Sequence, residues 1–366
     1  MILARGFFWD ARGDRLRAPD GVPRPAPDVH AVVPARNEAD VVPRTLRALA
    51  AQHYPGRFAI TLVDDRSDDG TGDAARAVAG VNVIAGATRP PGWTGKMWAL
   101  EQGVRAARAV DAAPAYWWFT DADVEHAPDT LARLVATAEA ERRDLVSLMV
   151  ALHCESPIER LLIPAFVFFF AKLYPFRWVA DPENPTAAAA GGCVLLANDA
   201  LARIGGIARI RGELIDDCAL AAAVKSTGGN IRLELSSSSR SIRPYENFGT
   251  IWSMVARSAY TQLRYSPRML AGTVLGMAFL YLVPPAATIA GVARRRSDLA
   301  LGGALAWTLL SAAYVPMLRR YRVTPFAAPL LPLAALLYTS MTVDSALRHA
   351  LGRGGAWKGR TFTPSS

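Results

Sequence analysis

The sequence predicts an α/β domain followed by membrane-spanning helices, and three observations carry that expectation. Up to about residue 265, short β-branched or aromatic runs alternate with amphipathic stretches, the pattern of β-α-β units around a parallel sheet. After Pro267 the composition turns abruptly apolar. Hydrophobic residues make up 51% of the 366 and charged ones only 20%, more apolar material than an ordinary soluble core absorbs.

Strands are expected near His30 to Val33, Ile60 to Val63, Asn82 to Ile84, Tyr116 to Thr120 and Leu145 to Val150. Helices are expected at Asp40 to Ala51, Thr71 to Val78, Lys96 to Ala109 and Pro128 to Arg142. This divides the chain into an extension at 1–27, an α/β domain at 28–265, an apolar region at 268–345 and a basic tail at 346–366 that holds Arg348, Arg353, Lys358 and Arg360.

The apolar region contains three segments, Met269 to Ala293, Leu299 to Leu318 and Pro325 to Val343, each near the ~20 residues that cross a bilayer as helix. Buried helices of a soluble domain are the alternative, but three in succession need a very large covering layer. RRR at 294–296 and RRYR at 319–322 separate the spans. Three full crossings put the RRR loop and the tail opposite the α/β domain, against the positive-inside rule. A re-entrant hairpin at Pro284 and Pro285 returns the tail to the domain's side, and the sequence leaves both topologies open. LLIPAFVFFFA at 161–171 spans only about 16 Å as helix, too short to cross. It reads as an interfacial helix near 158–172, with Phe166, Phe168, Phe169 and Phe170 facing lipid, or else as a helix buried under the sheet.

The formal net charge is +9, yet the arginines are spread and flank apolar segments, which suits a membrane surface and not nucleic acid. Cys154, Cys193 and Cys218 lie far apart without CxxC or Cys/His pairing, so neither a disulfide framework nor zinc is indicated and a reducing cytosol is expected. The N-terminal MILARGFFWD lacks the apolar core of a signal peptide, so export is not expected.

Three strand ends carry polar groups: AVVPARNEAD at 31–40, VDDRSDDGT at 63–71 and YWWFTDADVEH at 116–126. In a doubly wound sheet the ligand lies beyond the carboxyl ends of the strands. Asp121 and Asp123 arrive there together and repel, so one keeps its proton unless a cation shares the site. Mg2+ or Mn2+, completing its shell with phosphate oxygens, resolves the conflict. A solvated turn or a helix N-cap explains a lone DxD equally well, and Asp129 reads as such a cap. In PPGWTGKMWAL at 90–100, Gly92 and Gly95 loosen a loop in which Lys96 meets a phosphate or is simply a surface lysine; the spacing is not that of a P-loop. Asp217 could be an N-cap, and Arg264 a snorkelling arginine at the membrane edge. Phosphoacceptor receiver domains also collect strand-end aspartates, but they are shorter and carry no membrane tail.

VVPARNEA, VDDRSDDGT, the TGK loop, TDAD, LIDDCAL at 214–220 and YTQLRYS at 260–266 form an ordered series that resembles the inverting family 2 glycosyltransferases of GT-A fold. Among them the chain is most similar to the hopene-associated glycosyltransferases of bacterial hopanoid clusters, and more distantly to ceramide glucosyltransferases. The resemblance implies a nucleotide-sugar-binding domain with a mixed, mostly parallel sheet between helices. It implies that Pro34, Ala35, Asn37 and Glu38 lie near the nucleotide, that Asp65 recognises uracil or ribose and that Asp64 supports that loop. Asp121 and Asp123 would hold the metal and donor diphosphate, with Lys96 on a phosphate. Gly191 and Gly192 would face the acceptor, and Asp217 would be the base with Asp216 beside it. Gln262, Arg264 and Tyr265 match the QxxRW element that closes over the diphosphate, although the spacing here is QLRY and tyrosine replaces tryptophan. The implied partners are a UDP-linked sugar, a lipid acceptor and the membrane; the implied place is a bacterial inner membrane, multi-pass, with the catalytic domain on the cytosolic side. A processive polysaccharide synthase and a catalytically silent nucleotide-sugar-binding scaffold are the competing readings.

Overall fold

The computed structural model describes residues 5–352 except 14 and 111, together with the backbone of 356–357 and 360–361. Arg353 and Lys358 of the basic tail lie outside the described residues. The chain divides into two compact units, one built on a sheet (residues 13–153 and 174–243) and one helical (5–12, 154–173 and 244–352).

The sheet unit opens with β1 (Val29–Ala35), α1 (Val42–Ala50), β2 (Phe58–Asp64), α2 (Thr71–Arg76), β3 (Val81–Ala85), α3 (Gly95–Val110) and β4 (Tyr116–Thr120). Next come β5 (Val124–His126), α4 (Thr130–Glu141) and β6 (Leu145–Ala151). Helix α5 (Pro157–Leu173) belongs to the helical unit. The sheet unit resumes with α6 (Phe176–Ala180), β7 (Cys193–Ala197), α7 (Asn198–Arg203), α8 (Asp216–Ser226) and β8 (Ile231–Ser241).

All eight strands form one sheet in the order β3-β2-β1-β4-β7-β6-β8-β5. β1 to β4 are parallel, while β7 runs antiparallel to both β4 and β6 and β5 antiparallel to β8. The expected five strands are present, and β5, β7 and β8 are added to them. All five residues of β4, YWWFT, are buried, as in a strand covered on both faces. Trp117 and Trp118 are fully enclosed. Each such side chain contributes roughly 1.5–3 kcal/mol by leaving water. Helix α3 lies so close on β1 that a Cβ at Gly103 would stand 2.3 Å from Val32 Cγ1, which is why glycine occupies a helix interior that it otherwise weakens.

Strand order reverses direction between β1 and β4, the switch point at which open α/β sheets bind ligands. The β1–β4 ladder ends at Val32 paired with Phe119, whereas β1 stays paired with β2 as far as Ala35. Pro34, which has no N–H to give, occupies the stretch where β1 has parted from β4. A cleft opens there.

The helical unit continues with α9 (Phe248–Gln262), α10 (Pro267–Met277), α11 (Val283–Ala293), α12 (Ser297–Arg320) and α13 (Leu331–Ala350). A π-turn at Ala278–Leu282 joins α10 to α11, so 267–293 is one 27-residue helix and not a re-entrant hairpin. The wider turn just ahead of Pro284 and Pro285 accommodates rings that would clash with a regular α-helical turn. Three helices, Pro267–Ala293, Ser297–Arg320 and Pro325–Ala350 (the last including a 3-10 start), are long and apolar enough to cross a membrane. Leu275, Phe279, Ile289, Leu301 and Leu305 on them are all more than 60% exposed, an apolar surface of the kind that marks a membrane or partner contact. Helices α11 and α12 meet through glycines: a Cβ at Gly291 would lie 2.4 Å from Ala300 N, and one at Gly303 2.7 Å from Pro284 O.

Helix α5 runs 17 residues, within one residue at each end of the expected 158–172. Its aromatic set does not all face lipid. Phe168 is 1% exposed, between the rings of Phe8, Phe169 and Tyr314. Phe169 packs edge-on against Tyr281 and Tyr338, and Tyr338 Oη donates to Leu162 O at 2.9 Å. A helix carrying four phenylalanines within five positions has aromatic groups all around it, so part of the set turns onto neighbouring helices.

Candidate active site

The cleft in the sheet unit encloses about 350 Å³ of space open to solvent, and its walls include Pro34, Lys96, Asp121, Gly191, Asp216 and Asp217. Six sequence-predicted residues from five segments therefore share one hollow. Lys96, at the start of α3, places Nζ 2.8 Å from Asp121 Oδ1 and 3.4 Å from Asp216 Oδ2. Burial pulls the lysine pKa down, but the charges of Asp121, Asp216 and Asp217 outweigh it and hold the ammonium above its ordinary range. Lys96 is a cation set among three carboxylates, not a surface lysine.

Asp217 does not cap α8. The cap position is Ile215, and Asp217 sits in the first turn. Its Oδ2 accepts from Gly191 N at 2.8 Å and its Oδ1 from Cys218 N at 2.7 Å. Burial and the neighbouring Asp216 push its carboxyl up to about 6, against the opposing pull of Lys96 and the two amides. A Cβ at Gly191 would stand 2.8 Å from Lys96 Nζ, so a side chain there displaces the lysine head.

Asp123 lies on the β8 side of the same turn, where Ser241 Oγ donates to its Oδ2 at 2.8 Å. Its carboxyl is raised by burial and by Asp121, and Ser241 and Arg243 partly offset this. Oxygen-only donors that repel one another are the set a hard dication satisfies, so Asp121 and Asp123 fit Mg2+ or Mn2+. Among the described residues no three His, Cys, Asp or Glu side chains cluster as a complete metal cage. Such ions commonly complete their shell with phosphate and water.

The ends of β1 and β2 are laced together. Asn37, in a left-handed conformation at φ 52°, donates its N–H to Ser67 Oγ and accepts from Asp68 N. Glu38 N donates to Thr71 Oγ1, and Ser67 N to Asp64 Oδ1, so Asp64 supports the loop. Asp65 is fully buried, with Arg36 Nη1 3.9 Å from its Oδ2. Glu38 is likewise buried and pairs with Arg243, which also reaches Asp40 at 3.2 Å. Ala35 ends β1 beside Asp64. Gly192 packs behind Gly191 against Val150. Asp129 stands at the cap position of α4 without capping it; its Oδ1 meets His53 Nδ1 at 3.3 Å.

Gln262, Arg264 and Tyr265 belong to the helical unit. Gln262 ends α9, and Arg264 and Tyr265 follow with φ of 51° and 54°. Tyr265 stacks on His349 at 4.4 Å and accepts the Tyr260 hydroxyl on its carbonyl at 2.9 Å.

Thr120, His126, Ser241 and Arg243 were missed by the sequence reading. The clean alternation of IRLEL, with Ile231, Leu233 and Leu235 buried, is the signal that announces β8 and brings its last residues to the cleft. His126 is buried and neutral, pulled down to about 3 by desolvation.

Sheet order and switch-point cleft are those of a GT-A fold. Residues 30–205 match the family model Glycosyl transferase family 2. The mannosyltransferase PcManGT from Pyrobaculum calidifontis, solved in complex with GDP-Man and Mn2+, shares the fold at a TM-score of 0.54 and 18% identity, over 95% of this chain and 93% of that one. Glucosyl-3-phosphoglycerate synthase from Mycobacterium tuberculosis, solved with Mg2+ and uridine-diphosphate, aligns at a TM-score of 0.47 and 15% identity, over 69% of this chain and 85% of that one. No curated protein matches the chain in sequence.

Proposed function

We propose that the protein is an inverting, membrane-bound glycosyltransferase that moves a sugar from a nucleotide diphosphate sugar to a lipid. The observation that carries this reading is Lys96 held between Asp121 and Asp216, with Asp217 beside them on the same cleft. A cation for the diphosphate and a shielded carboxylate for the acceptor stand together.

In this mechanism Asp217 takes the proton of the acceptor hydroxyl as its oxygen bonds to the anomeric carbon. The bond from that carbon to the diphosphate breaks on the opposite face, which inverts the configuration. Lys96 meets charge on the departing diphosphate, Asp216 holds Lys96 in place, and Gly191 and Gly192 leave the acceptor room to approach. Asp121 and Asp123 would hold Mg2+ or Mn2+, which when bound neutralises diphosphate charge. Pro34, Ala35, Asn37, Glu38, Asp64 and Asp65 form or support the nucleotide side, and the family resemblance assigns Gln262, Arg264 and Tyr265 to the diphosphate.

Uridine is the base implied by the family resemblance; guanosine is the alternative, because PcManGT was solved with GDP-Man. A hopanoid or related lipid is the acceptor suggested by likeness to the hopene-associated enzymes. Three apolar helices support a membrane-confined acceptor, and a nucleotide-sugar donor supports a catalytic unit on the cytosolic side of a bacterial inner membrane. Full-length protein in detergent, given labelled UDP- and GDP-sugars with extracted membrane lipids, is expected to yield a labelled glycolipid. Asp217→Asn should lower transfer on the order of 10²–10⁴-fold while still binding the nucleotide diphosphate. Absence of label in every lipid with every donor would sink the proposal.

A further inference from the structure

His126 ends the run YWWFTDADVEH and has no part in the chemistry above. It is 3% exposed and packs on Trp118, ring centroids 4.7 Å apart. Two hydroxyls flank it: Nε2 lies 2.8 Å from Thr120 Oγ1, and Nδ1 lies 2.8 Å from Ser239 Oγ. The register that pairs His126 with Ser239 across β5 and β8 sets the second of these.

Proton counting gives the group a direction. Thr120 has one hydroxyl proton and two oxygens within reach, Gly192 O at 2.9 Å and the carbonyl of Asp121 at 3.5 Å. A carbonyl can only accept, so the proton goes to the nearer, Gly192, where two facing lone pairs would otherwise repel. Thr120 Oγ1 must then accept from the imidazole. Nε2 therefore carries the ring proton, and Nδ1 accepts from Ser239. Every bond runs the same way, from β8 through β5 and β4 to the glycine turn.

That turn touches the proposed base. Gly191 N donates to Asp217 Oδ2 at 2.8 Å, and Thr120 directly precedes Asp121. Ser147 pins the preceding residue, giving its proton to Ala190 O at 3.1 Å and accepting from Ala190 N at 2.8 Å. We propose that Ser239, His126 and Thr120 form a one-directional hydrogen-bond relay that positions the Gly191–Gly192 turn, and through it Asp217, against Asp121. His126 is thus a positioning residue; the inference rests on the reading of Asp217 and Asp121 given above.

His126→Leu deletes both bonds, and His126→Gln restores an amide N–H near the place of Nε2. In the full-length protein, His126→Leu is expected to lower kcat on the order of 10- to 100-fold, the scale of a small misplacement of reacting groups. Nucleotide diphosphate affinity should stay within about twofold and His126→Gln should recover most of the rate. Unchanged kcat in His126→Leu, equal loss in both variants, or loss of nucleotide binding together with rate overturns the relay. Should His126→Leu fail to fold, Ser239→Ala carries the same expectation at smaller size. If the unaltered protein transfers no sugar, the functional reading falls separately. Nitrogen-15 histidine NMR then still decides the relay: the Nε2–H tautomer supports it and the Nδ1–H tautomer overturns it.

Discussion

At the residue scale, Asp217, the proposed base, shows how environment shifts an ordinary carboxylate. Burial and Asp216 raise its carboxyl to about 6, so the deprotonated form that can accept a proton prevails only above that pH. Transfer is therefore expected to fall as pH drops through about 6, and a kcat–pH profile should show this limb. Asp217→Asn should lower kcat on the order of 10²–10⁴-fold, the range for loss of a general base, and leave no such limb. Asp121→Asn and Asp123→Asn are expected to weaken metal-assisted binding of nucleotide diphosphate in calorimetry. Chelation should do the same to the unaltered protein, and added Mn2+ should reverse it. Asp121 could be named from the sequence because acids at strand ends stand out against apolar runs, and Asp217 through the resemblance of LIDDCAL to a family motif. Thr120 and His126 could not, because the contacts behind their proposed role, Thr120 with Gly192 and His126 with Ser239, join segments far apart in the chain.

At the element scale, helix α3 connects the fold to the site, since it lies on β1 through Gly103 and begins at the residues that hold Lys96 over the acids. Gly103→Ala should destabilise the protein by about 1–3 kcal/mol, the cost of overpacking a close contact, and show as a lowered melting temperature. β1 to β4 and the helices between them were legible in the sequence within a few residues, because each carries its own hydrophobic period. The apolar run CVLLA of β7 shows none of its antiparallel placement between β4 and β6. Pro284 and Pro285 illustrate the reverse case: they read locally as a break, yet the π-turn ahead of them lets the helix continue.

For the whole molecule, the decisive quantity is apolar area that the folded chain leaves uncovered. In the three long helices only 17%, 33% and 33% of the apolar windows are buried, which leaves most of their side chains to another phase. The protein is expected to stay with membranes through high-salt and alkaline carbonate washes and to be released by detergent. Release by salt alone would mean that it is held at the surface by charge. Helix α5, expected at the interface, places Phe168 among aromatic rings of the helical unit, and that part of its apolar surface serves packing.

By itself the sequence determined the α/β class, the three apolar helices and most of the acids at the cleft. Such features depend on local period, length and charge, which are properties of neighbouring residues. Tertiary structure alone decided that β7 and β8 complete the sheet, that Lys96 bridges Asp121 and Asp216, and that a buried histidine joins a serine of β8 to a threonine of β4. Those outcomes depend on distances between segments far apart in the chain, set by strand register and by packing around the switch point.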